Sequence, residues 1–355
     1  MIPPRPDCSC SARSRNGWAA LASVVWLIIS PGSVSADDAG SFSPVVQLAN
    51  PESKDQDDAC VWVHPERPVE STVIASDKSA GRLFVYDLEG RVLQSLSAAK
   101  PGNIDIRQNV KIDGRISDIV VVNQRTQGYK LLVYRIDRQT RKLERLDEGH
   151  CATDPNYGGC LYHSGKTQRL YFICTSETGA VEQLELAGNG NGGVQVKKVR
   201  NLMIGKCEGA VADDHAGSLF IAEEKNGVWK FDAEPDAPAT GSLVAKVGEH
   251  GLKGDVEGLA LWRRDGDAGA VLVSDQGRNR VLAYGRAAPH EFIGEFAIAG
   301  AVQTDGIELC QANLGPRFPG GVFVCHTDRA PRPLLLTPWP QIAAYLTKDG
   351  VATPR

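Results

Sequence analysis

The longest apolar run in this 355-residue chain, GWAALASVVWLIIS near the N-terminus, has only 14 residues. A membrane-crossing helix needs about 20, so the run is too short to span comfortably. No CxxC pair and no Cys/His cluster occurs, which argues against zinc sites built on such spacings. Positive charge is not in excess: 39 Lys and Arg stand against 43 Asp and Glu, a net charge of −4. A partner with a phosphate backbone calls for a basic face, so nucleic acid is disfavoured. A long amphipathic helical pattern is missing, as is any linker composition that would mark a second folded domain. No cysteine sits in a recognisable nucleophile motif.

What is present at the N-terminus is a targeting segment. Arg5, Arg13 and Arg15 precede the apolar run, and PGSVSA follows it, ending at Ala36. A basic region, a short apolar region and small residues at the exit describe a secretory signal peptide over residues 1–36. Cleavage there leaves a single domain over 37–355, exported to the periplasm or the medium. It removes three Arg and one Asp, taking the net charge from −4 to −6. It also reduces nine cysteines to seven, an odd number that leaves at least one thiol unpaired within the chain. Hairpin register pairs Cys160 with Cys174 across GKTQ, and Cys310 with Cys325 across GPRFPGG; buried free thiols are the alternative.

The 37 Gly and 20 Pro imply many turns and short strands, and those strands recur in a pattern. Copies begin at Asp57, Ser117, Gly158, Cys207, Val256 and Thr304, at spacings of 60, 41, 49, 49 and 48 residues. Each reads as an apolar strand, a polar turn, a second apolar strand ending in polar or acidic residues, and often a third strand with an aromatic. Four-stranded antiparallel units at this spacing predict an all-β fold, a six-bladed β-propeller. The early FSPVVQLAN supplies a strand to close the ring with the last blade.

In such a ring the first strand of each blade lines a central channel. Asp58, Asp118, Glu208, Glu257 and Asp305 stand at the start of that strand in five copies. Five carboxylates at one end of a channel repel one another unless they take up protons or a cation. An all-oxygen set of this kind suits Ca²⁺ better than Mg²⁺ or Zn²⁺. In CEGAVADDHAGSLFIAEE, Glu208 and Glu224 fall at the same end of one hairpin, while Asp213 and Asp214 fall at the opposite turn.

DDACVWVHP, SDKSAGRLFVYDLEG, GNIDIR, YGGCLYHS, CEGAVADDHAGSLFIAEE, DVEGLALW, SDQG and TDGIEL together resemble the β-propeller phytases, from about Asp57 to the closing TPWPQIA. The resemblance implies a secreted, calcium-dependent phosphomonoesterase of the 3-phytase type. Its substrate would be phytate, myo-inositol hexakisphosphate, taken as the calcium complex by a monomer without membrane or nucleic-acid partners. It implies several calcium ions held by Asp57, Asp58, Glu208, Glu224, Asp255, Glu257 and Asp305. Substrate phosphates would meet Lys78, Arg125 and Tyr157, with Asn103, Asp105 and Arg107 in a neighbouring loop and Gln276 at the cleft edge. Lys78, Arg125, Tyr157, Glu208 and Glu257 would then carry catalysis, by direct attack of calcium-bound water. Departures occur. TSETG places Glu177 where the family has a phosphate-binding lysine and Thr178 where it has an acid; this reversal of charge leaves three readings open, weaker phytate binding, another metal, or an offset by a basic group such as Lys206, which stands close before Glu208. Gln303 stands where a further Asp is expected. A lactonase-like propeller and a propeller that binds inositol phosphates without turnover are the competing readings.

Overall fold

The computed structural model describes residues 40–126, 128–147, 150–151 and 155–348. Residues 1–36, expected to be a signal peptide, lie outside them. Residues from Gly40 onward form one compact unit of six antiparallel sheets, as the repeats predict. The first strands of the blades are Gln56–Trp62, Pro101–Ile112, Asn156–His163, Cys207–Asp213, Val256–Arg263 and Ile307–Cys310. Each contacts the next in sequence order, and the sixth returns to the first, so the ring is closed. Three further strands follow outward in each blade. In the sixth the outermost place is taken by Val46–Leu48, which pairs antiparallel with Leu334–Pro338. Another early segment, Ser41–Phe42, adds parallel to Phe292–Ile298 at the outside of the fifth blade.

Strands form here because alternate residues are apolar on both faces and each face meets a neighbouring blade. The core is accordingly a series of clusters between blades. One holds Val61, Phe84 and Tyr86 of the first blade with Val322, Val324 and Leu336 of the sixth. Another packs Trp262 and Phe296 of the fifth against Phe323 of the sixth and Trp339 of the closing helix Trp339–Leu346. Burial of such side chains, worth roughly 1.5–3 kcal/mol each, holds the blades at their radial spacing. Among the described residues no helix is long and apolar enough to cross a membrane.

Two expectations are corrected. The second blade begins at Pro101, not Ser117, so Asp118 lies on a second strand rather than at the channel. There it is fully buried and accepts bonds from Trp62 Nε1 at 2.9 Å, Arg138 Nη2 at 2.6 Å and the Asn109 N–H at 2.9 Å. The uneven 60 and 41 spacings are the trace of that displacement. The expected cysteine pairs do not form either: Cys160, Cys310 and Cys325 are free thiols. Cys160 stands opposite Ile173 and Cys310 opposite Val322, so each supposed pair is off register. Alternation sends its members to opposite faces, Cys160 and Cys174 into different clusters and Cys310 and Cys325 likewise.

Candidate functional site

Five of the six first strands carry a β-bulge near their start, between Gln56 and Asp58, Pro101 and Ile104, Asn156 and Gly159, Cys207 and Ala210, and Val256 and Leu259. A bulge re-aims the side chain of its extra residue. Within these bulges sit Asp57, Asn103, Tyr157, Glu208 and Glu257; Asp305, just before the sixth first strand, completes the circle. Four of these positions are followed by a glycine because the strands approach so closely there. A Cβ on Gly209 would run into the main-chain carbonyl of Glu257, and one on Gly258 into that of Asp305. Asp57, Asp58, Asn103, Glu208, Glu257 and Asp305 line one small polar hollow on the axis.

A second circle surrounds the first. The residue directly after the second strand of each blade is, in order, Lys78, Arg125, Glu177, Glu224, Gln276 and His326. In all six blades its N–H donates to the carbonyl of the residue before the first strand: Asp55, Lys100, Pro155, Lys206, Asp255 and Gly306. Equivalent backbone geometry thus delivers chemically different side chains to the same rim. Lys78 Nζ lies 2.6 Å from Asp57 Oδ1 and 3.2 Å from Asp305 Oδ2. Arg125 Nη1 lies 3.2 Å from Glu208 Oε1, with its guanidinium 4.1 Å from the centre of the Tyr157 ring. Lys206 reaches the same ring at 4.9 Å and pairs with Glu224 Oε1 at 2.8 Å. Gln276 Nε2 donates to Asp305 Oδ1.

The electrostatics are those of an over-charged acid site. Burial, and after it Asp57 and Asp305, push the Glu208 carboxyl up to about 8 against the opposing pull of Arg125. Glu257 is raised well above its ordinary range by burial and then by Glu208 and Asp305, and Asp58 is raised chiefly by burial. Burial alone would lower Lys78, but Asp57, Asp305 and Asp55 hold it firmly protonated. Even so, buried oxygens remain without a hydrogen-bond partner: Asp57 Oδ2, Asn103 Oδ1 and Glu257 Oε2. Unsatisfied buried acceptors are costly, and a hard cation satisfies several at once. The donors are all oxygen, which fits Ca²⁺ or Mg²⁺ and not a thiolate- or imidazole-seeking metal.

Of the residues singled out in the sequence, Asp57, Asp58, Asn103, Glu208, Glu257, Asp305, Lys78, Arg125, Tyr157, Glu224 and Gln276 gather at this end of the channel. Asp255 is exposed beside them, its N–H bonded to the Glu224 carbonyl at 2.9 Å. Arg107 is not brought to the group. It lies four residues farther along its strand, its Nε 2.6 Å from Asp214 Oδ2 and its Nη1 2.9 Å from Asp105 Oδ2. Asp214, expected at the opposite turn, is there; Asp213 caps that turn at the N–H groups of His215 and Ala216. His326 was missed. Its Nδ1 accepts the Asp305 N–H at 3.1 Å and its Nε2 faces Asp55 Oδ1 at 3.8 Å. Asp55 and Asp328 near it are balanced by Arg332, 3.5 Å from Asp55 and 2.6 Å from Asp328. The signal for His326 was its place directly after a second strand, equivalent to Lys78 and Glu224.

A family model described as Phytase matches residues 17–331. The 3-phytase of Bacillus subtilis (strain 168) is 35% identical over 316 residues, covering 82% of this chain and 81% of that protein. Among solved structures, the calcium-binding protein regucalcin from Agrobacterium tumefaciens aligns at a TM-score of 0.52 and 13% identity, over 84% of this chain and 97% of that one. That last likeness concerns the fold alone.

Proposed function

The chain belongs to the phytase family, and we propose that it releases phosphate from phytate in a calcium-dependent reaction at the acidic end of its channel. The observation that carries the calcium reading is the set of buried, unpartnered oxygens on Asp57, Asn103 and Glu257 within a ring of further carboxylates. Calcium would be held by Asp57, Asp58, Glu208, Glu224, Asp255, Glu257 and Asp305. When bound, it supplies the positive charge that a phosphate dianion and its incoming water require.

The chain's own residues supply the rest. Arg125, its guanidinium 4.1 Å from the centre of the Tyr157 ring, presents a planar fork of donors to the equatorial oxygens of the phosphate being cleaved. Lys78 adds a point charge from the far side of Asp57. Lys78 and Arg125 would offer their charge to the substrate, where it opposes the negative charge of the transition state. Burial together with Glu208 and Glu257 keeps the Tyr157 hydroxyl neutral, fit to donate a hydrogen bond. Gln276 and Asn103 position substrate and carboxylates at the edge. Water attacks directly, without a covalent intermediate. Cleavage at the 3-position, as the Bacillus subtilis relative is named, export after loss of residues 1–36, and a monomeric state complete the reading.

The test is phosphate release from phytate by the purified mature chain with millimolar calcium, and again after EDTA. Release that EDTA abolishes and calcium restores is expected. Equal release in EDTA would overturn the calcium assignment, and none in either condition would overturn the substrate.

A further inference from the structure

Five first strands aim their axial residue with a bulge; the sixth does not. Ile307–Cys310 pairs with Val322–Cys325 in unbroken register, and Asp305 stands ahead of that strand, on the connection from the fifth blade. Its place depends on what grips this connection. The grip comes from the residues directly after the second strand. The N–H of His326 donates to the Gly306 carbonyl at 3.0 Å, and that of Asp328 to the Val302 carbonyl at 2.9 Å. Thr327 Oγ1 accepts the Val302 N–H at 3.0 Å and donates to the Gly300 carbonyl at 3.2 Å. The innermost contact is the imidazole, whose Nδ1 accepts the N–H of Asp305 itself at 3.1 Å. In the first and third blades a hydroxyl of the second strand has the corresponding place: Ser76 Oγ accepts the Asp58 N–H at 3.3 Å, and Thr175 Oγ1 the Gly158 N–H at 3.0 Å.

Of the six residues at this rim position, His326 is the most enclosed, 1% exposed. An Nδ1 that accepts leaves the ring proton on Nε2, which faces Asp55 Oδ1 at 3.8 Å. Asp55 belongs to the first blade, where Ser79 Oγ holds its other oxygen at 3.1 Å. The imidazole therefore spans the seam at which the last blade meets the first. Asp305 is also the carboxylate that Lys78 and Gln276 both reach, so a shift of its main chain is felt around the ring.

Resting on the phytase reading, we propose that His326 is a positioning residue: its imidazole takes the part of the missing bulge and fixes Asp305 at the axis, where the carboxylate completes the set that would hold calcium. It acts through Asp305 and touches neither ion nor substrate. Without the acceptor, a buried N–H is left unpaired, and the connection must move to satisfy it.

Leucine and asparagine are alike in shape, and an asparagine Oδ1 falls where Nδ1 lies. His326→Leu and His326→Asn thus differ in the acceptor, while His326→Phe keeps a ring without its nitrogens and serves if the leucine variant does not fold. Calorimetric titration of the full mature chain without substrate should show calcium binding about tenfold weaker in His326→Leu and His326→Phe, the usual cost of losing a group that orients a ligand. His326→Asn should stay within about threefold of the unaltered chain. Phosphate release from phytate should need about tenfold more calcium in the first two variants. At saturating calcium their kcat should return to within about twofold with KM unchanged. A merely structural role would lower the melting temperature without moving the calcium requirement. Unaltered calcium affinity in His326→Leu and His326→Phe would overturn the proposal, as would an equal loss in His326→Asn. A rise in KM or a loss of kcat that calcium does not repair would overturn it too, by placing the imidazole on the substrate. If the unaltered chain binds no calcium, the calcium reading itself fails, and this assignment with it.

Discussion

Gly258 donates its N–H to the main-chain carbonyl of Asp305, one blade away, at 3.0 Å. The acid that serves the channel and the glycine that lets the blades meet are thus parts of one contact. Gly258→Ala, or Gly209→Ala on the preceding blade, drives a methyl group into the neighbouring backbone, which cannot move aside. A loss of about 2–4 kcal/mol is expected. Urea denaturation should show a lower midpoint for either variant; an unchanged midpoint would mean that the strands are not held this closely.

The raised carboxyls give the metal-free protein a defined pH dependence. Glu208 titrates near 8 when folded, against an ordinary value of 4.5, so the folded state holds a proton that the unfolded state gives up. Stability in EDTA should therefore be greatest below the unfolded value and fall as pH rises toward 8. Calcium binding must expel such protons, so its stabilisation should grow over the same interval. Melting temperatures at pH 5 and pH 8, with and without calcium, check both signs. Calorimetry in buffers of different ionisation enthalpy should register the protons released.

Removing the guanidinium from the Tyr157 platform should hurt turnover more than calcium binding. Arg125→Gln is expected to lower kcat about 10²–10³-fold, the usual cost of one preorganised donor. Arg125→Lys should recover only part of it, since a point charge cannot reproduce the planar fork. Calcium titration of the same variants should show that the metal still binds.

Arg107 makes the opposite prediction. It joins Asp105 of its own strand to Asp214 on the fourth blade, deep in the channel. Arg107→Gln leaves two acids without their partner and should cost about 3 kcal/mol of stability. Folded enzyme should keep its KM for phytate, measured well below the new melting temperature. A tenfold rise in KM would return Arg107 to the substrate.

Cys60, Cys160, Cys207, Cys310 and Cys325 are buried free thiols, and burial raises those of Cys60, Cys160 and Cys325. In the native protein these five should react negligibly with an aromatic disulfide reagent at pH 8, and they should react fully once it is unfolded. A Cys160–Cys174 or Cys310–Cys325 peptide in a non-reducing digest would contradict the register.

The ring was legible in the sequence because each blade must repeat the same alternation to pack against both neighbours. Its count survived even though one boundary did not. First and second strands are equally apolar and both follow polar residues, so Ser117 was read as a blade start and Asp118 as a channel acid. Glu208, Glu257 and Asp305 were recoverable because an acid followed by a glycine recurs at the start of the first strand in the last three blades. Arg107 misled because a motif carries residues from both depths of the channel, and only strand rise separates them. His326 escaped notice because an imidazole does not advertise equivalence to Lys78 or Glu224; the shared backbone position does.

The strand Val46–Leu48 completes a sheet whose other members, Ile307–Cys310, Val322–Cys325 and Leu334–Pro338, lie at the far end of the sequence. A chain emerging from the ribosome holds the first of these long before it has the rest. Its circle cannot be locked until nearly everything else has been synthesised, and loop closure over such a separation is slow. The same topology that fastens the ring of the finished molecule at its sixth blade therefore keeps the nascent one open, in the unfastened state a chain needs if it is to be threaded through a narrow passage before it folds.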